Sequence, residues 1–497
     1  MKQSLFDALK RYGDKDYYPF HMPGHKRNPE SGPLAEIYRY DITEIDGFDN
    51  LHQPEAILRD VQNRAATLYH ADNTYLLING STAGILSAVS AVAERGRKLL
   101  IARNCHRAVY HAAFLNRLEI EYIYPDFIET FGISAGITGR QVEKKIKDIA
   151  EQEKRPESEA GMGIAAVVLT SPTYDGILSD VPEIVRTAHR YGIPVIIDQA
   201  HGAHFGFHPG FPESAADEGA DFVIHSVHKT LPAPTQTALL HCNGAYTQRE
   251  RLEKYLRIYQ SSSPSYLLMA GIDSCMELVE REGERRLEEL LCNRKKLVQK
   301  LNSLKHIRIY PSIAETGRIC EDDPESFDVS LQEPGKLLIS ARGTGLEGRR
   351  LSDILRERYH LEMEMSGADY VIAILTMMDR SEGYERLRRA LTEIDQSLIA
   401  ESDKRGEWTP YQKIQPVAVT KMSDAFMSQS IWMSFDEAAG RTAADFVNIY
   451  PPGIPVLVPG ERVEAEVLEM LAAYRNNGYT VQGIRENSGY YIKTVRI

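Results

Sequence analysis

The sequence predicts an α/β protein, with a large domain built on a mainly parallel sheet and a smaller α+β domain at its C-terminal end. Three observations predict it. From about residue 53, short apolar runs alternate with amphipathic helical stretches, the order of βαβ units. The runs are apolar throughout instead of alternating, as strands covered by helices on both faces are. Beyond a long helical pattern that reaches about residue 301, strands and helices continue on a smaller scale.

Taken in order, residues 1–52 form an N-terminal arm, 53–301 the large domain and 302–497 the smaller one. The clearest strands of the large domain are TYLLIN (74–79), KLLIAR (98–103), IAAVVLTSP (164–172), IPVIIDQAH (193–201) and DFVIHSVHK (221–229). Helices at Ala83–Glu94 and Val181–Tyr191 show apolar residues at i, i+3 and i+4. A charged insert, Lys144 to Glu159, is expected as a surface helix and loop without chemistry. The helical pattern from Pro264 to about residue 301 looks like a bridge between domains. After it come strands HIRIYP, GKLLISA and DYVIAILT, helices at Ser352–Tyr359 and Gly383–Ile399, and a final helix at Glu461–Arg475 behind a Pro/Gly-rich loop starting at Tyr450.

With 497 residues, 43% hydrophobic and 26% charged, the chain has room for a large core and matches no collagenous, disordered or coiled-coil composition. The net charge of −12 repels phosphate backbones and anionic lipid and attracts a small cation, so neither nucleic acid nor membrane is expected as a partner. Five cysteines, Cys105, Cys242, Cys275, Cys292 and Cys320, contain no Cys-x-x-Cys pair, which suggests a cytoplasmic location and neither a disulfide framework nor a zinc site. The N-terminus mixes charges into its apolar positions, unlike a signal peptide, and no stretch reaches the roughly 18 apolar residues of a membrane span.

Three local patterns point to chemistry. Gly80-Ser81-Thr82-Ala83-Gly84 follows a strand and opens a helix, so its backbone N–H groups, the hydroxyls of Ser81 and Thr82 and the helix field form a phosphate cup; a plain N-cap is the bland alternative. Asp198 ends a buried apolar run, where open α/β sheets bind ligands, and such a carboxylate needs solvent, a cation or a protonated ring nitrogen. Its alternative is again a helix cap. Lys229, in Ser226-Val227-His228-Lys229-Thr230, also closes an apolar run and is placed as a desolvated amine, although most lysines snorkel to the surface.

Together the three are what pyridoxal phosphate requires of one chain: a cup for the phosphate, a carboxylate to keep the pyridine nitrogen protonated, and a lysine for the aldehyde. His106, in Asn104-Cys105-His106 after the strand KLLIAR, can stack on the cofactor face. His201, His204, His208, His225 and His228 crowd together in sequence, but without a carboxylate-rich partner motif they make a poor metal site, and no metal is expected.

These residues resemble a known family, the fold type I pyridoxal phosphate-dependent decarboxylases of the Orn/Lys/Arg group. The likeness rests on Phe20-His21-Met22-Pro23-Gly24-His25-Lys26, Asn79-Gly80-Ser81-Thr82, Arg103-Asn104-Cys105-His106 and Ser171-Pro172-Thr173-Tyr174-Asp175-Gly176. It continues through Asp198-Gln199-Ala200-His201-Gly202-Ala203-His204, Ser226-Val227-His228-Lys229, Gln260-Ser261-Ser262-Ser263-Pro264-Ser265-Tyr266 and the segment from Tyr450. The resemblance implies that Lys229 is the Schiff-base lysine, that Asp198 pairs with the pyridinium and that His106 stacks on the ring. Ser81, Thr82, Ser226 and His228 would hold phosphate, and His201 would lie beside the cofactor. It further implies a homodimer or higher assembly whose active site lies at the interface, with the N-terminal arm contributing there and Ser261–Ser263 reaching the partner's phosphate. The additional N-terminal domain of long members has no counterpart, so high-order assembly of that type is not expected.

The implied activity is decarboxylation of arginine or lysine, and less readily ornithine, to an amine and CO₂ for polyamine biosynthesis. The acidic run holding Glu44, Asp46 and Asp49 is the expected counter-charge for the substrate's distal cation; a solvated acidic loop is its alternative. Gln199, where the family usually has Glu, and Asn50, where an Asp often follows Asp49, are expected near the active site and bear on substrate preference. Two other classes remain: another fold type I enzyme, such as an aminotransferase or lyase, and a non-catalytic binding protein, which the intact Lys229, Asp198 and His106 disfavour.

Overall fold

The structure, a computed structural model, describes residues 4–129, 131–310, 332–398, 414–451 and 453–496. Cys320 and Pro452 therefore lie outside the described residues. The chain gathers into two compact units, each discontinuous in sequence: residues 1–96, 142–171 and 181–288 in one, and 97–141, 172–180 and 289–497 in the other. The sequence boundaries at 52 and 301 do not follow this division.

In the first unit five strands lie in the order β1 (Asn73–Leu77), β9 (Ala238–Cys242), β8 (Phe222–His225), β7 (Val195–Asp198) and β6 (Gly163–Thr170). The pairs β6–β7 and β7–β8 are parallel, while β9 runs against both β8 and β1, so four of the five strands share one direction. Strands β6, β7 and β8 are buried along nearly their whole length, which is why they stand out as unbroken apolar runs. Strand β9 was not expected. Its five residues include His241 and Cys242, and the link from β8 holds two prolines and one helical turn, too little for the crossover a parallel neighbour requires.

The helix Gly80–Val92 buries nine residues, and Gly84 lets it lie directly on the sheet: a Cβ there would stand 2.7 Å from Leu77 Cδ1 and 3.3 Å from Ile224 Cγ2. Helix Leu5–Gly13 of the arm starts on a Ser4 cap, whose Oγ accepts from Asp7 N, and buries Leu5 and Leu9. Leu5 N donates to Asp273 Oδ2 at 2.7 Å, and Asp273 also pairs with Arg64 at 2.5 Å. The charged insert contributes the helix Gly139–Gln152, whose inward stripe Val142, Ile146 and Ile149 is buried.

The second unit holds the parallel pair β2 (Gly96–Ala102) and β3 (Glu119–Ile123), the short antiparallel pair β4 (Phe127–Ile128) and β5 (Ile133–Ser134), and a four-stranded antiparallel sheet made of Arg308–Tyr310, Lys336–Ser340, Tyr370–Ile374 and Met365–Ser366. Helices Gly348–Tyr359 and Ser381–Ser397 accompany that sheet. Further on, two three-stranded sheets and the helix Ala465–Asn476 share a core of Val447, Leu457, Val467 and Leu471. The expected α+β character of the C-terminal part is present. Arg103, at the end of β2, is buried with its guanidinium donating to Tyr110 Oη, to the carbonyls of Pro455 and Val456 and to Glu461. The two terminal nitrogens are satisfied by main-chain carbonyls as well as by Tyr110 and Glu461, which offsets part of the desolvation of a buried pair, while the buried Nε has no partner. Among the described residues no helix is long and apolar enough to cross a membrane.

Candidate active site

Because β7 and β8 are parallel neighbours, the groups that leave their carboxyl ends emerge side by side. Asp198 is the last residue of β7. Lys229 follows β8, carried not by the strand itself but by a single helical turn, Val227–Thr230. From the loop after β7, His201 places Nε2 3.0 Å from Lys229 Nζ. The Asp198 carboxyl is 3% exposed, and burial raises its pKa above the ordinary carboxylate range, against the charge of Lys229 and the N–H of Ala200, which donates to Oδ1 at 3.2 Å. A carboxylate so deeply placed holds its charge best against a cation.

The stretch expected as a phosphate cup opens the helix Gly80–Val92. Gly80, at φ +74°, makes the bend into helix Gly80–Val92 that a β-carbon would strain, and sets Ser81 and Thr82 in the first turn, where the N–H groups lack helical partners. Gln236 donates to Ile78 O just before this bend, and His228 Nδ1 donates to the neighbouring Thr237 O at 2.9 Å. Residues 236–237 therefore join the cup to the lysine's turn. Burial and the charge of Lys229 lower the His228 pKa. Ser226 is fully buried and its Oγ has no hydrogen-bond partner. A buried hydroxyl left unmatched is costly unless a ligand supplies an acceptor.

Seven of the expected cofactor residues, Ser81, Thr82, Asp198, His201, Ser226, His228 and Lys229, thus belong to the first unit. His106 belongs to the second. There it caps helix Arg107–Leu115, its Nδ1 accepting from Ala108 N at 3.2 Å, which leaves Nε2 to carry the proton of the neutral ring. Gly453 closes on that ring: a Cβ on it would lie 3.6 Å from Nε2.

The acidic run divides into unlike members. Asp49 acts as a structural cap: its carboxylate accepts from Asn50 N, Glu55 N, Ala56 N and Leu58 N, at 2.7 to 3.2 Å, and so closes the turn before helix Ile57–Leu68. Asp46 is exposed. Glu44 accepts from Thr43 Oγ1 at 2.6 Å through Oε2, while its buried Oε1 has no partner. Replacing Asp49 by alanine is therefore expected to cost about 1–2 kcal/mol of stability without altering the preference among basic amino acids, to be read by thermal denaturation and competition kinetics. An altered preference would return Asp49 to the substrate site.

Gln199 and Asn50 also have protein partners. Gln199, fully buried, spends its side chain on Ala215 N and on His225, and Asn50 Oδ1 accepts from His52 N at 2.8 Å. Neither departure from the family pattern is a substrate contact through these atoms. Ser261 N donates to Asn79 Oδ1 of the same chain at 3.1 Å, directly before the cup, while its carbonyl accepts from His52 Nε2. Gln236 and His52 were not singled out in the sequence, and Asn79 only as part of the motif that carries the family resemblance. Their roles depend on main-chain groups far away in the chain, for which no linear spacing exists.

A strand-end lysine and carboxylate beside a helix N-terminus define an α/β enzyme of the fold type I class. Comparison with known proteins agrees. Residues 3–382 match the model of the Orn/Lys/Arg decarboxylase major domain and residues 410–494 that of the Orn/Lys/Arg decarboxylase C-terminal domain. An arginine decarboxylase of Bacillus subtilis is 30% identical over 499 residues, covering 99% of this chain and 97% of the relative. A lysine decarboxylase of Francisella novicida superposes with a TM-score of 0.82 at 20% identity, over 99% of this chain and 81% of that one. The constitutive lysine decarboxylase of Escherichia coli gives 0.81 at 19% identity, over 99% and 82%. The chain belongs to the Orn/Lys/Arg decarboxylase family, and it is a decarboxylase.

Proposed function

We propose that this decarboxylase acts on arginine or lysine, and less readily on ornithine, and that it does so with pyridoxal phosphate held by Lys229, Asp198 and the cup at Gly80. The observation that carries the reading is the convergence of Lys229, His201 and Asp198 at the ends of two parallel strands, with Ser226 Oγ buried and unmatched beside them. The donor set fits the cofactor: Ser81, Thr82, Ser226 and His228 supply hydroxyl, imidazole and main-chain donors for a phosphate, and Asp198 supplies a buried anion for a pyridinium. When bound, the cofactor supplies the electron sink that lets the α-carboxylate leave as CO₂.

The chain's own residues then have distinct tasks. Lys229 Nζ would hold the cofactor's aldehyde. His201 Nε2, 3.0 Å away, accepts a proton from that amine and so keeps it nucleophilic, and either atom can hold the proton that must reach the substrate α-carbon. Asp198, shielded from water, would supply the anion for the ring nitrogen. Because Nδ1 donates to the Thr237 carbonyl, His228 can donate to a phosphate through Nε2 only as the imidazolium, a form that the anion itself would favour. His106 is assigned to the ring face by resemblance, and Glu44, with its unmatched oxygen, and Asp46 to the distal cation. A homodimer with the arm and Ser261–Ser263 at the interface, a cytoplasmic location and a place in polyamine biosynthesis complete the proposal.

Amine and CO₂ release from arginine, lysine and ornithine, measured in parallel with added pyridoxal phosphate, tests it. Product from arginine or lysine above ornithine is expected. No product from any of the three, with cofactor bound, would overturn it.

A further inference from the structure

Four fully buried polar side chains cross the sheet of the first unit behind Asp198. Thr74 on β1 meets His241 Nδ1 on β9 at 2.8 Å, His241 Nε2 meets His225 Nδ1 on β8 at 3.0 Å, and His225 Nε2 meets Gln199 Oε1 after β7 at 2.7 Å. The direction of every bond is set at one end. The Gln199 atom that faces Ala215 N at 3.1 Å must be an acceptor, because a main-chain N–H only donates. That atom is Oε1, so His225 Nε2 carries a proton. In a neutral ring His225 Nδ1 then accepts from His241 Nε2–H, and His241 Nδ1 accepts from the Thr74 hydroxyl. Both rings are satisfied as neutral Nε2–H tautomers.

We infer that Gln199 is a positioning residue for Asp198, and that its being an amide keeps this chain of histidines uncharged. The groups acting on His225 are burial, His241 and His204, none of them acidic, and burial alone pushes His241 down to about 3. Tyr69 roofs both rings, its centroid 4.8 Å from His225 and 4.5 Å from His241, while its hydroxyl donates to Ala203 O at 2.5 Å. The chain and Tyr69 thus grip the segment 198–203 at two points, Gln199 and Ala203, on either side of His201. Asp198 and His201 are held without being touched.

An acid at position 199 would change the protonation of the whole row. Gln199→Glu places a carboxylate opposite His225, which takes up one proton from solvent to become a cation. Its Nδ1 then donates to His241 Nε2, and His241 must switch to the Nδ1–H tautomer, donating to Thr74 Oγ1.

The test is imidazole ¹⁵N NMR of the full-length, cofactor-free protein. The expected wild-type result is two neutral Nε2–H histidines that do not titrate between about pH 5.5 and 8.5. In Gln199→Glu, His225 is expected to be cationic and His241 to have changed tautomer. A wild-type His225 that titrates in that window, or a neutral His225 in the variant, overturns the inference. Gln199→Leu, which removes the anchor, is expected to lower kcat roughly tenfold with KM unchanged; an unchanged kcat refutes the positioning role. The inference rests on Asp198 being the ring partner only in this last arm, so failure of that reading leaves the NMR result standing.

Discussion

Lys229→Ala is expected to reduce turnover on the order of 10³-fold or more. The loss is large because one atom, Nζ, is assigned two tasks: it takes the cofactor's aldehyde and shares a proton with His201 at 3.0 Å. The fold should persist, since the residue sits on a single helical turn whose packing is carried by Val227 and Thr230. The substitution also removes the cation that lowers the Asp198 pKa. The cofactor-free variant should therefore have an Asp198 carboxyl raised further, which carbon NMR of that carboxyl against pH would read. Retained decarboxylation in Lys229→Ala would refute the assignment.

Asp198→Asn is expected to separate activity from stability. Turnover should fall on the order of 10²- to 10³-fold, the scale of losing a fixed charge partner at a reacting group. Stability of the cofactor-free protein should move the other way. Burial raises the Asp198 pKa in the folded state above its unfolded value. Its favourable contribution is then complete below the unfolded pKa and is lost as pH rises through the folded pKa, beyond which a buried charge weighs against folding. Asparagine carries no such charge, so the variant should melt about 2 °C or more above wild type at pH 7 and converge with it in acid. A variant that melts lower at pH 7 would mean that Lys229 already compensates the carboxylate fully.

Most of the sheet, and the placement of Asp198 and Lys229 at the ends of its apolar runs, were legible in the sequence. Strands β6, β7 and β8 are buried on both faces and so appear as unbroken apolar runs, and Asp198 and Lys229 stand where those runs stop. Strand β9 was hidden because a short run with a histidine and a cysteine has no periodicity, and its direction depends on the length of its connection. Asp49 looked like one acid among several; only the folded turn shows four main-chain donors converging on its carboxylate. Gln199 shows the same limit. Its position beside Asp198 suggested a place in the active site, yet alternate residues leave a strand end in opposite directions, and its side chain faces the buried histidines. His106 was singled out from its place after β2, while the close approach of Gly453, nearly 350 residues further on, was not foreseen.

The central claim is that Lys229 bears the cofactor. The most direct measurement is to incubate the protein with pyridoxal phosphate, reduce it with borohydride so that any carbon–nitrogen link becomes permanent, digest it and weigh the peptides. The mass of a single reduced cofactor on the peptide containing Lys229, absent from Lys229→Ala, is the predicted result. A tag on another lysine, or none on a protein that still releases CO₂, would contradict it.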